Sequence, residues 1–387
     1  MSTDVVVAGH ACVDLIPELT GPIQLEPGRL SEVGPVTFAP GGAVPNVGLA
    51  LATLGTAPKL VGRIGDDALG EVLLGLVRRR LRAGTLAFER VPGESTSYTI
   101  IISPPGVDRL FLHHPGCNDR FNPRAVDSST FADARLFYFG YPPAMRSTYE
   151  DGGTALAGLF QRAKARGVTT ALDMSMPDPA SQAGRQDWTA FLRRVLPNVD
   201  VFLPSWEEVL FMLDPERFTA RAAPTPALLL ELSEFLLGLG SGMVGIKLGR
   251  NGMYLRTADV ARVHALGRAA PSDPKPWARR ELWAPVFVVP VAGTTGAGDA
   301  TVAGFLAALL RDLAPEEVLR MGVAVGAHCV EAPDATSGLR SWDETESRVR
   351  GGWLQHSHAP PDTTWNRHDP TGILCGPHDQ ILTPSLA

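Results

Sequence analysis

The chain has 387 residues, of which 44% are hydrophobic and 20% charged, with a formal net charge of −6. That is ordinary globular composition, long enough for one large α/β domain with additions or for two domains. The acidic balance argues against a nucleic-acid partner, and no apolar run approaches the ~20 residues that span a bilayer.

Four scattered cysteines, Cys12, Cys117, Cys329 and Cys375, suggest neither a zinc site nor a disulfide framework. The first residues place Asp4 early and lack a basic segment, so no signal peptide is visible and a cytoplasmic location is expected. Val5-Val6-Val7-Ala8-Gly9 reads as a buried first strand, followed by Asp14 in a polar gap. Residues 17–40 are rich in Pro and Gly, with short β-like pieces such as Pro35-Val36-Thr37-Phe38. The pair Gly41-Gly42 permits close backbone approach and leads to a helix over Val47–Leu54. Asn46 projects an amide from an otherwise apolar first turn, unless it bonds its own backbone. Lys59–Gly65 is the next strand. The helix Ala68–Arg82 then carries Leu69, Val72, Leu73, Leu76 and Val77 on one face and ends in a solvated Arg78-Arg79-Arg80. Thr96–Ile102 and Arg109–His113 read as strands joined by a Pro-Pro-Gly turn.

From residue 135 strands and helices alternate. Strands are expected at Leu136–Phe139, Thr169–Asp173, Val199–Leu203, Met243–Leu248 and Gly252–Arg256. Helices are expected at Thr154–Arg166, Trp188–Leu196, Ser205–Leu213, Ala227–Leu239 and Pro315–Val330. Such alternation implies a parallel sheet covered on both faces, with ligands at the carboxyl ends of its strands. From Gly351 the composition turns to Pro, His and Gly with little periodicity. Residues 351–387 therefore read as an extended or partly disordered tail whose histidines lack metal-ligand spacing.

The most informative stretch is 286–312. An apolar run, Val286 to Val291, precedes Gly293-Thr294-Thr295-Gly296-Ala297-Gly298, and helix spacing begins at Asp299. This pattern of strand, glycine loop and helix offers backbone N–H groups to an anion. A Walker cradle is excluded, because Asp299 stands where that motif needs lysine; the dinucleotide fingerprint fails because Thr301 occupies its third glycine position. What remains is an anion-binding turn with a carboxylate at its edge, or a glycine-rich connector with Asp299 as a helix cap.

Thr294-Thr295-Gly296-Ala297-Gly298-Asp299, followed by Ala300 and Gly304, resembles the C-terminal signature of the ribokinase-like PfkB carbohydrate kinases. Gly41-Gly42 with Asn46, then Gly65-Asp66 and Gly70, resembles the N-terminal signature. The resemblance runs over roughly residues 4–345. It implies an α/β, ribokinase-like fold: a central, mostly parallel sheet flanked by helices, with a small β lid from about 10–40 and 95–115. It divides the chain into a kinase domain, 1–350, and an extension, 351–387.

It also implies a kinase that uses ATP and Mg²⁺ to phosphorylate a hydroxyl of a small sugar or sugar acid, of the fructose or 2-keto-3-deoxygluconate type. By this resemblance Asp299 is the general base, ionised beside its helix N-terminus, and Gly296, Ala297 and Gly298 form the anion hole. Asp14, Gly41, Gly42 and Asn46 face the substrate. Ser205, Lys247, Gly249 and Thr295 lie on the nucleotide side. Glu208 steers the metal, in a segment where Ser205 replaces the family's usual asparagine. Gly293 replaces an acid that in relatives helps hold a monovalent cation, which puts potassium dependence in doubt. The strand end Phe139-Gly140-Tyr141 lacks an acid that some relatives use for sugar. Residues 266–285 look like an insertion foreign to the family. A nucleoside kinase on the same fold, or a non-catalytic PfkB-like binding or scaffold protein, are the alternatives. A homodimer through the lid strands is expected as well.

Overall fold

The computed structural model describes residues 3–19, 21, 26–28, 30–104, 109–356, 364–368 and 371–380. The chain opens with β1 (Val5–Gly9), β2 (Cys12–Pro17) and β3 (Val36–Gly41), which lead into α1 (Ala43–Thr53). Next come β4 (Pro58–Gly65), α2 (Ala68–Arg80), β5 (Thr85–Val91), β6 (Tyr98–Ile102) and β7 (Leu110–His114). The alternating part contains β8 (Leu136–Gly140), α3 (Arg146–Tyr149), α4 (Thr154–Ala165), β9 (Thr169–Asp173), α5 (Trp188–Val195), β10 (Val201–Phe202) and α6 (Trp206–Leu213). It continues through α7 (Pro215–Thr219), α8 (Pro226–Gly238), β11 (Met243–Lys247), β12 (Met253–Thr257), α9 (Val260–His264) and β13 (Glu281–Ala284). The last elements are α10 (Ala297–Leu310), α11 (Pro315–Val330), α12 (Trp342–Arg350), β14 (Asn366–His368) and β15 (Ile373–Cys375).

Among the described residues the strands form two sheets. The large one has the order β14-β15-β13-β12-β11-β10-β9-β8-β1-β4-β5, parallel from β5 to β11 and antiparallel beyond. Its central strands are buried throughout, as the unbroken Val5-Val6-Val7 run requires of a sheet covered on both faces. The small sheet, β3-β2-β6-β7, is the expected lid. Its strands β2 and β3 leave the body directly after β1 and return directly into α1.

Successive strands run outward from β1 towards β5 on one side and from β8 towards β11 on the other. The β1/β8 boundary is therefore the topological switch point, where open α/β sheets hold their ligands. Gly9 pairs with Gly140 there, and His10 and Tyr141 emerge side by side. Helix α10 is apolar all round because it is buried between α1 and α11. No helix among the described residues is long and apolar enough to cross a membrane.

Several expectations are corrected. The Val286–Val291 strand does not form: Pro285 and Pro290 remove two donors, and the segment keeps a single bridge, Phe287 to Gln355. Helix α1 begins at Ala43 rather than Val47, and α2 ends at Arg80 rather than Arg82. Arg80 is not simply solvated; it reaches Asp334 (3.6 Å) and Ser337 Oγ (3.4 Å). The supposed insertion contributes β13 and the buried Trp277 to the body.

The tail is not merely an extended appendage. β15 pairs with β13, and Asp379 is buried against Arg280, whose Nε donates to both carboxylate oxygens at 3.1 and 3.0 Å. The sheet edge left by β13 supplies partners that the tail's own sequence does not advertise. Pro105 and Gly106 of the lid turn, and His358, lie outside the described residues.

Candidate active site

A cleft of about 1030 Å³ opens between the small sheet and the carboxyl ends of the large one. Asp14, Gly42, Asn46, Glu208, Thr295, Gly296 and Asp299 all line it. Seven expected site residues from four separate stretches thus converge. Gly249 does not join them; it lies in the turn that separates β11 from β12.

Asp299 stands in the first turn of α10 and is buried. Its two oxygens have different partners: Asn46 Nδ2 donates to Oδ2 (2.9 Å) and Tyr141 Oη donates to Oδ1 (2.8 Å). Burial raises its pKa above the ordinary aspartate value; the Asn46 and Tyr141 hydrogen bonds and the Lys247 charge oppose that rise, and Glu208 adds to it. Burial thus opposes the helix terminus, which favours the ionised form. Gly296 caps the helix at φ 74°, and a Cβ there would lie 2.3 Å from that of Ala335, so only glycine lets the 333–338 loop close on this turn. The first amides of a helix have no intrahelical acceptor, which leaves the turn open to an anion, although Ala297 N already leans on Thr294 O at 3.3 Å.

Lys247 ends β11, with Nζ 3.8 Å from where a Cβ on Gly298 would stand. It donates to Asp173 Oδ1 at 2.6 Å, and both groups are largely buried. Burial alone would lower its pKa, but Asp173 and Glu208 hold it above the usual lysine value, so the ammonium persists beside the turn. Ser205 and Glu208 form a reciprocal cap on α6: Ser205 N donates to Glu208 Oε2 (2.7 Å) and Glu208 N to Ser205 Oγ (3.4 Å). The cap fixes the Glu208 carboxylate at the cleft wall.

On the opposite side, Asp14 is buried and its pKa is pushed up to about 7, chiefly by burial and also by the nearby Asp299. Gly41 and Gly42 make this wall possible. A Cβ on Gly41 would meet Asp14 Oδ1 at 2.3 Å, and one on Gly42, at φ 83°, would meet His10 Nδ1 at 2.6 Å. His10 Nδ1 and Asn46 Oδ1 are buried without a hydrogen-bond partner among the described residues.

Four residues missed from sequence belong here. Tyr141 and His10 follow β8 and β1 at the switch point, and Asp173 ends β9. Arg109 reaches from the lid to Thr294 Oγ1 (2.6 Å) and to Thr295 Oγ1. Their position at strand ends was the available signal for the first three.

The pfkB family carbohydrate kinase profile matches residues 2–342. An uncharacterized sugar kinase of Archaeoglobus fulgidus is 26% identical over 291 residues, covering 75% of this chain and 98% of that protein. A probable fructokinase-4 of Arabidopsis thaliana is 23% identical over 355 residues, covering 90% and 97%. The structure of Arabidopsis thaliana ribokinase complexed with ribose and ATP superposes with a TM-score of 0.70 at 19% identity, covering 90% of this chain and 98% of that one. The chain therefore belongs to the pfkB family of carbohydrate kinases, phosphotransferases that use a hydroxyl group as acceptor.

Proposed function

We propose that this kinase transfers the γ-phosphoryl group of ATP to a hydroxyl of a small sugar or sugar acid, of the fructose or 2-keto-3-deoxygluconate type. One observation carries the reading. The buried Asp299 carboxylate lies between the anion-binding turn and a wall whose polar atoms, His10 Nδ1 and Asn46 Oδ1, have no partner among the described residues. Buried polar groups are as a rule hydrogen-bonded, so these two, on the cleft wall, fit the hydroxyls of a polyol.

Phosphoryl transfer demands positioning and charge stabilisation more than covalent help. The amides of Gly296, Ala297 and Gly298 hold the transferring group, and Lys247 adds a fixed positive charge next to them. Asp299 accepts the proton of the attacking hydroxyl, while Asp14 and Asn46 orient the sugar. Thr295 and Ser205 border the nucleotide side, with Gly249 in the turn beyond Lys247.

Among the described residues no cluster of three or more His, Cys, Asp or Glu is arranged to hold a metal. That suits Mg²⁺, which keeps several waters and leans on one or two carboxylates plus phosphate oxygens; when bound it neutralises phosphate charge. Glu208, held at the cleft wall by its cap, is the carboxylate placed to steer it. The exposed Leu110 and Leu112 alternate along β7 and form an apolar outer face on the lid, which suits a second copy of the chain as partner.

The test is ADP release by the purified protein, screened against ketoses, sugar acids and nucleosides with ATP. Turnover with a sugar or sugar acid supports the reading. Turnover with nucleosides alone, or with nothing, contradicts it.

A further inference from the structure

Tyr141 has no part in the reaction as described so far. Its backbone is left-handed, φ 67° and ψ 48°, a region that side-chain-bearing residues enter only at a cost. Strain of this kind persists where the surroundings over-determine it, and it clusters at functional sites. Here Tyr141 N donates to Asp173 O (3.2 Å), and Pro142-Pro143 follow at once. The turn aims the phenol into the cleft, where its ring stacks near His10 (centroids 6.4 Å apart) and its hydroxyl reaches Asp299.

We propose that Tyr141 is a positioning residue for phosphoryl transfer: with Asn46 it fixes the Asp299 carboxylate and stabilises its ionised, proton-accepting form. The inference rests on Asp299 being the general base. Each carboxylate oxygen accepts more than one hydrogen bond, so the two donors leave capacity for the sugar hydroxyl. They also fill one site on each oxygen, which holds the carboxylate plane.

The groups facing Asp299 come from seven further elements. Asn46 lies on α1, Cys12 and Asp14 on β2, Tyr138 on β8 with Tyr141 just beyond it, Asp173 on β9, Glu208 on α6 and Lys247 on β11; Cys329 faces it from α11. The carboxylates among them disfavour a further negative charge. Lys247 favours it but is shared with Asp173. Neutral donors therefore supply the balance, and of the two nearby phenols only Tyr141 reaches the base; Tyr138 Oη has no partner among the described residues.

Tyr141→Phe keeps the ring and removes the donor. It should lower kcat and move the acid limb of the kcat/KM–pH profile upward by about one pH unit, the size of one lost donor to a carboxylate. KM for ATP should stay within about twofold. Asp299→Asn, measured alongside, should be nearly inactive at every pH. A dead Asn variant with an unmoved limb in the Phe variant would overturn the Tyr141 role and leave the base standing. An active Asn variant would overturn both. Should the Phe variant not fold, a fluorotyrosine at 141, a stronger donor, should move the limb to lower pH; an unmoved limb there overturns the proposal as well.

Discussion

The two walls of the cleft are finished differently. On the phosphoryl side charges answer one another within the protein: Lys247 with Asp173, Glu208 with the Ser205 cap, Arg109 with Thr294. Asp173 Oδ2 is the atom left over there. On the acceptor side Asp14 is met only by the Cys12 thiol at 3.5 Å and the Thr99 hydroxyl among the described residues, and His10 and Asn46 each keep a polar atom unsatisfied. A preorganised wall suits a group that is the same at every turnover. A wall with open valences suits a ligand that must supply the missing hydrogen bonds itself, and discrimination among acceptors follows from that. Asp299 lies at the junction and is held from the acceptor side.

This contrast can be broken from either wall. The largest effect on stability should come from Lys247→Ala, which strands the buried Asp173 and should cost about 3–5 kcal/mol, read as a fall in Tm together with lost activity. Adding Asp173→Asn should recover much of the Tm but not the activity; recovery of both would show that Lys247 serves only its partner. Asp14→Ala should weaken sugar binding about 10–100-fold, the range for a hydrogen bond to a charged group, and leave ATP binding nearly unchanged. Calorimetric titrations showing equal losses for both ligands would place Asp14 in the scaffold.

Gly42→Ala should destabilise by about 1–2 kcal/mol, because alanine resists φ 83° and presses on His10. A Tm equal to wild type would contradict the close approach. A smaller, pH-resolved effect isolates Asp14. Its folded pKa of about 7 lies above its ordinary 3.8, so the native state holds the proton more tightly and this group's contribution falls as pH rises between those values. The Tm of wild type minus that of Asp14→Asn should therefore decline from pH 4 to pH 7 and flatten above; a flat difference throughout refutes the raised pKa. The smallest effect on catalysis belongs to Leu112→Ser on the outer lid face. It should turn a dimer into a monomer in light scattering, whereas a monomeric wild type would remove the lid interface altogether.

The sequence was most legible where local pattern and tertiary environment agree. Helix α11 begins at its N1 proline and ends at Val330 as its periodicity predicts, and β9 spans the residues expected. Where tertiary contacts decide, the pattern misled. β13 becomes a strand because β12 offers an edge, and β15 because β13 in turn offers one, although prolines and a changed composition surround them. β5, an edge strand with no fully buried residue, carries too weak an alternation to stand out. In the site, the glycine turn and its aspartate were readable because a close approach demands specific residues. Tyr141 was not, since an aromatic residue carries no signature of a left-handed backbone, and its value lies in a partner 158 positions away. The burial of Asp299 was hidden for the same reason: the helix terminus beside it is local, and the contacts that bury it are not.

The central claim is that Asp299 takes the proton of the acceptor hydroxyl. Its direct test is single-turnover and steady-state kinetics of Asp299→Asn with whichever sugar the screen identifies, on protein shown to be folded and to bind ATP. General-base catalysis contributes about 10²–10⁴-fold, so kcat should fall at least about a hundredfold while ATP affinity holds. A variant that turns over its sugar within about tenfold of wild type, below the usual range for this effect, would contradict the account.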